Sequence, residues 1–281
     1  MTVPQIKLHD GTSIPQLGFG VFQVPPEETA DTVAQAFEAG YRHIDTAQMY
    51  ENEAGVGAAI KDSGLSRDEL YVTTKLNNGF HRLDDARRAI DESLERLGLE
   101  QTDLFLIHWP LPTQYDGDFV STWQALIEAQ QAGKTRSIGV SNFQPAHLDR
   151  IVEATGVVPV VNQVEVHPFF ANEDVRAANA RHGVLTEAWS PIAQGKVNDD
   201  DTIGEIASAV GRSPAQVTLR WHVQRGDIIF PKSMKAERMR ENFEIFDFEL
   251  SAEQVSALDG LDRGESGRMG PNPDTFDYIP G

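Results

Sequence analysis

Short runs rich in β-branched and aromatic residues recur near residues 18–21, 41–45, 70–75, 103–108, 136–140, 160–166, 184–188 and 227–230. Between them lie amphipathic stretches such as DDARRAIDESLERLG and AQVTLRWHVQRG, whose apolar residues repeat at helical spacing. The recurrence is about thirty residues, which is the typical length of an eight-fold β/α barrel divided by eight. Eight strands alternating with helices, with no stretch that reads as a linker, predict an α/β fold: a single (β/α)8 TIM barrel over residues 1–281. The opening IKLHDGTSIP adds two short strands around Asp10-Gly11, a strong hairpin signal, and predicts an N-terminal hairpin closing the bottom of the barrel. An open doubly wound sheet is the rival architecture. It would carry a three-glycine fingerprint after its first strand, and LGFGVF supplies only two glycines.

Composition narrows the chemistry. The chain has no cysteine, which excludes disulfides, thiolate catalysis and cysteine-ligated metal centres, and suits a reducing cytoplasm. Its formal net charge of -19 repels nucleic acid and anionic lipid. No run approaches the roughly 18 apolar residues of a membrane helix, and MTVPQIKLHDG has no secretory pattern. The expected location is cytoplasmic, and the expected partner is a small molecule.

Barrel active sites form at the carboxyl ends of the strands. The second strand run ends at Asp45, with Tyr50 five residues on; the third ends at Lys75 and the fourth at His108. Singly these residues read as a helix cap, a packed ring, a rim lysine and a scaffold histidine. Together they make a carbonyl-protonating set. A lysine beside a tyrosine favours the phenolate and lowers its pKa, an aspartate fixes the lysine, and a histidine orients a carbonyl oxygen. His43 and Asp45 share a side by strand parity and, with His108 nearby, raise a metal reading. A cationic Lys75 among such ligands opposes metal binding. His43 therefore reads as a satisfied core residue, and no metal is expected.

Three longer stretches carry a resemblance: GYRHIDTAQMYENEAGVG, SIGVSNF at 137–143 and PKSMKAERMREN at 231–242. In order and spacing they resemble the three signatures of the aldo-keto reductase family, and in particular its bacterial 2,5-diketo-D-gluconic acid reductase group. The likeness spans nearly the whole chain. It implies that Asp45, Tyr50, Lys75 and His108 are the catalytic tetrad, with Tyr50 the proton donor to a carbonyl that receives hydride from NADPH. It implies that Ser141, Asn142 and Gln163 bind the nicotinamide carboxamide, and that Trp189, with Ser190 beside it, stacks on the nicotinamide. Lys232, Lys235, Arg238 and Arg240 crowd nine residues of an acidic chain. By the resemblance Lys232, Ser233, Lys235 and Arg238 surround the adenosine 2′-phosphate, Glu241 and Asn242 hold the adenine edge, and Arg240 stays at the surface.

For the substrate pocket the candidates are Phe22, Met49, Trp109 and Gln194. Many relatives carry tryptophan where this chain has Asn77, a change expected to widen or polarise one wall. A short PLPTQYDGDFV loop and a short C-terminal tail predict a shallow, open pocket. Such a pocket suits small aldehydes, diketones, α-keto esters and keto-sugars. The resemblance also implies a monomer. The alternative reading is a cofactor-sensing or partner-binding barrel with little turnover.

Overall fold

The computed structural model describes residues 2–280. Asp10 and Gly11 make the predicted turn: Gly11 holds a φ of 91°, and Asp10 Oδ1 accepts from the Thr12 amide at 2.9 Å. The turn pairs β1 (Gln5–Lys7) with β2 (Ser13–Pro15) in antiparallel fashion. Eight parallel strands follow: β3 (Phe19–Gly20), β4 (His43–Asp45), β5 (Tyr71–Leu76), β6 (Thr102–Ile107), β7 (Thr135–Ser141), β8 (Val161–Glu165), β9 (Leu185–Trp189) and β10 (Ile228–Ile229). Each hydrogen-bonds to the next in chain order. A parallel bridge between Leu17 and Ile229 joins the last strand back to the first, which closes the ring. The expected barrel is therefore the observed one, and each predicted strand run overlaps a strand.

The helices are α1 (Pro26–Ala39), α2 (Glu53–Asp62), α3 (Leu83–Leu97), α4 (Val120–Gln131), α5 (Pro145–Thr155), α6 (Glu173–His182), α7 (Asp201–Val210), α8 (Pro214–Gln224), α9 (Ala236–Phe243) and α10 (Ala252–Asp259). Local sequence sets their ends. Proline opens α5 and α8, where its missing N–H costs nothing. Left-handed glycines close α1, α3, α5, α6 and α7. Two helices exceed the eight-fold alternation, because β9 and β10 are each followed by a pair. None of the described helices is long and apolar enough to cross a membrane.

Strand parity divides the side chains into two sets. Ile44, Val72, Phe105, Ile107, Val140 and Ala188 point outward against the helices. Tyr71, Leu104, Leu106, Val161, Ile228 and Phe230 point inward and pack with Leu8 and Ile14 of the hairpin. The hairpin thus plugs the amino-terminal end with an apolar cluster. At the carboxyl end the inward residues change character, to Asp45, Lys75, Ser141, Gln163 and Glu187.

The glycines of LGFGVF belong to the closure of the ring. A Cβ on Gly18 would lie 2.6 Å from the Phe230 ring and 3.0 Å from His43. Gly18→Ala should therefore lower unfolding stability by about 1–3 kcal/mol through overpacking of the seam. A urea titration checks this, with an undiminished midpoint as the contrary result.

Candidate active site

A lysine with none of its surface exposed stands at the centre of the barrel mouth. Lys75 Nζ donates to Asp45 Oδ1 at 2.7 Å, to the Thr46 carbonyl at 2.9 Å and to Tyr50 Oη at 3.4 Å. Register explains the first contact. Asp45 lies opposite Thr73 in the β4–β5 pair, so Lys75, two residues on, shares its inward face. Tyr50 is delivered by a single 3-10 turn, Gln48–Tyr50, which swings the ring back over the strand ends. His108 follows β6 and meets Tyr50 edge to face, with centroids 5.5 Å apart. All four tetrad candidates are brought together.

Their charge states follow from burial. Burial raises the Tyr50 phenol, the Lys75 charge opposes that rise, and the net effect is a pKa above the ordinary value. This corrects the expectation of a lowered tyrosine: desolvation outweighs the neighbouring cation. Burial depresses the Lys75 ammonium, but Asp45 more than restores it, so the lysine stays charged. Burial, then the charge of Lys75, hold His108 well below its usual range. The imidazole is therefore neutral at pH 7, with its Nδ1 buried and unpartnered. His43 is a core residue as read: its nitrogens lie 2.9 Å from Thr73 Oγ1 and 3.4 Å from the Pro15 carbonyl.

Beside the tetrad the ends of β7, β8 and β9 form a polar shelf. Ser141 Oγ donates to the Gln163 carbonyl at 2.7 Å. Asn142 donates to the His108 carbonyl at 3.0 Å and accepts from Trp189 Nε1 at 2.9 Å, so it braces both. Asn142 and Ser190, each one residue past a strand, hold left-handed φ values of 63° and 50°. Backbone strain of that kind, about 1–3 kcal/mol per residue, concentrates at functional sites. After β10, Lys232 is half-buried while Lys235 and Arg238 are exposed. Among the described residues none of the three has a carboxylate partner. Ser233 and Asn242 are buried beside them, and Glu241 is half-buried.

The chain's final segment lies against the barrel mouth, a path that the sequence does not announce. The Met269 and Gly270 amides donate to the buried Glu165 carboxylate at 2.6 and 2.9 Å. The segment then passes His147, sets Phe276 against Trp109 with centroids 4.2 Å apart and rings tilted by 42°, and reaches Asn78, which donates to the Tyr278 carbonyl at 2.9 Å. It therefore runs past the ends of β8 and β6 and the turn after β5. Phe22, 57% exposed, lies 5.1 Å from the Tyr50 ring, with Met49 half-buried in the adjoining turn. Asn77 spends its Oδ1 on the Gly79 amide, so its polarity faces its own turn. Gln194 is exposed on a cavity of about 570 Å³ shared with Lys196, Arg263 and Met269.

The aldo/keto reductase family model matches residues 16–263 of the chain. An aldo-keto reductase of Mycolicibacterium smegmatis is 47% identical over 275 residues, covering 98% of both chains. The methylglyoxal reductase DkgA of Yersinia pestis is 46% identical, covering 97% of both. Among solved structures, a variant of Gox0644 in complex with NADPH superposes with a TM-score of 0.94 at 45% identity, over 99% of this chain and all of the other.

Glu165 is the clamp that sets the course of the final segment, which gives a direct check. Glu165→Ala should release it and speed chymotryptic cleavage after Phe276 or Tyr278 at least about tenfold, the loss of two charge-assisted hydrogen bonds. The barrel should stay folded by circular dichroism. Unchanged cleavage kinetics would mean that the aromatic contact with Trp109 alone holds the segment.

Proposed function

Because the chain belongs to the aldo/keto reductase family, we propose that it reduces small carbonyl compounds to alcohols at the expense of NADPH, with Tyr50 as proton donor. The observation that carries this reading is the contact between Lys75 and Tyr50. The lysine donates to the phenol oxygen, which leaves the phenolic proton free for an incoming acceptor. Burial keeps that proton in place at neutral pH. As a carbonyl oxygen gains negative charge, Tyr50 Oη gives up its proton, and the nearby ammonium stabilises the phenolate left behind. Asp45 fixes the ammonium. The neutral His108 serves as a hydrogen-bonding group that orients the carbonyl oxygen.

The shelf suits a nicotinamide cofactor. Gln163 Oε1 makes no hydrogen bond within the described chain and retains solvent contact, so it is an acceptor left for the carboxamide. The Trp189 ring is held by Asn142 as a stacking surface, and Ser141 and Ser190 flank it. Lys232, Lys235 and Arg238, free of carboxylates, are the phosphate-binding group, with Ser233 beside them and Glu241 and Asn242 on the adenine side. When bound, the cofactor supplies the hydride. Trp109, Phe276 and Phe22 wall a narrow apolar mouth, which favours small aldehydes, diketones, α-keto esters and keto-sugars. The activity named for the Yersinia relative falls within that class.

Arg238→Ala should weaken NADPH binding by about 1.5–3 kcal/mol, one charge-assisted hydrogen bond, and leave NADH binding nearly unchanged. Calorimetric titration with both cofactors decides; equal weakening of the two would assign Arg238 to structure. For the reaction itself, Tyr50→Phe removes one hydroxyl and should slow reduction by roughly 10²–10⁴-fold with NADPH affinity retained. Lys75→Met should be comparably damaging, and the double variant little worse than either, because the two act as one unit. Single-turnover rates with a small dicarbonyl measure this. A Tyr50→Phe protein that keeps its rate sinks the mechanism.

A further inference from the structure

Behind the tetrad lies a second carboxylate that the chemistry above does not use. Glu187 sits on β9, two residues before Trp189, and is 0% exposed. Its Oε2 accepts from Gln163 Nε2 at 3.0 Å, and the same nitrogen donates to Asp45 Oδ2 at 2.8 Å. A primary amide has two hydrogens, and here each is given to a different acid. That fixes the flip of the amide, since reversing it would set an oxygen 2.8 Å from the Asp45 carboxylate. Among the described residues the Gln163 oxygen is left without a partner.

We propose that Glu187 is a positioning residue for this site: acting through Gln163, it braces Asp45 from behind and holds the Gln163 oxygen as an acceptor toward the cofactor. The inference rests on the NADPH-dependent reading above, because it takes the carboxamide of that cofactor as the group received. With a residue lacking an acceptor at 187, the amide would have one tether in place of two and could present its nitrogen to the cofactor.

The electrostatics agree. The charged and titratable groups that act on Glu187 are Asp45 from β4 and Lys75 from β5, with Gln163 bonded from β8. Tyr71, at the start of β5, feels its charge in turn, and β10 sets Ile228 opposite it. Asp45 already balances Lys75, so a second full negative charge here has no counterion. Burial, then Asp45, push Glu187 up to about 8. As a neutral acid it leaves the field of Lys75 on Tyr50 undiminished. Once ionised, it opposes that field.

The test compares the full-length parent with Glu187→Leu and Glu187→Gln. The leucine removes the acceptor, whereas the glutamine keeps an oxygen for Gln163 but cannot ionise. NADPH affinity is read by tryptophan fluorescence, and single-turnover reduction is followed between about pH 6 and 10. The leucine variant should bind NADPH about tenfold more weakly, with the glutamine variant within about twofold of the parent. The parent rate should fall as pH rises through about 8, the value to which Glu187 is pushed, and the glutamine variant should lack that step. The proposal is overturned by a leucine variant with parental affinity, a glutamine variant as impaired as the leucine one, or persistence of the pH step without Glu187. If the leucine variant does not fold, the pH profile of the glutamine variant decides alone. A parent that binds NADPH without turnover overturns the catalytic reading, and the affinities still judge Glu187. A parent that does not bind NADPH overturns both.

Discussion

The site hangs on one buried ion pair. Taking an ammonium and a carboxylate out of water costs several kcal/mol per ion, and only close, well-completed hydrogen bonding offsets it. Lys75 meets that demand with Asp45, a main-chain carbonyl and Tyr50; Asp45 meets it with Lys75 and Gln163. Each partner is therefore held by the need to satisfy another. Strand register brings the two charges face to face, and the turn after β4 then has little choice over where Tyr50 lies. The tyrosine is aimed by the same bonds that keep the lysine charged.

The barrel interior is divided accordingly. Its lower half is mainly apolar and packed against the hairpin through Leu8 and Ile14. Its upper half carries the polar side chains, in a medium where each charge acts at longer reach than in water. The surface shows the converse arrangement. On a chain of net charge -19, the residues after β10 gather four cations, Lys232, Lys235, Arg238 and Arg240, against two acids, Glu237 and Glu241. That edge of the mouth is locally positive, in contrast to a chain whose overall charge repels anions.

Much of this was legible in the sequence, for identifiable reasons. Strand runs and helix periodicity announce a barrel because each element buries one face. Asp45, Lys75 and His108 stand out because polar residues at strand ends break an apolar pattern. The same logic reaches Glu187, which shares inward parity with Trp189, and Glu165 at the end of β8; neither was singled out, since a lone acid in a strand carries no motif. The direction of the Tyr50 shift was misread because a sequence shows a neighbouring charge but not the depth of burial. Gln194 sits where the backbone turns left-handed, with a φ of 53°, and no composition rule announces that. The final segment, GPNPDTFDYIP, has no periodicity, and the barrel takes hold of it largely by its backbone.

That last point reaches beyond this one molecule. Glu165 grips amide groups that every residue except proline possesses, and although Gly270 must stay small, because a Cβ there would lie 2.4 Å from the Trp189 ring, this grip does not itself depend on the side chains farther along the segment. Residues such as Phe276 are then free to vary while the route beneath them is kept. An architecture of this kind separates what must be inherited intact from what can drift. The barrel with its buried ion pair stays fixed, and the face presented at the mouth can change by point mutation in a stretch of sequence that carries no periodicity.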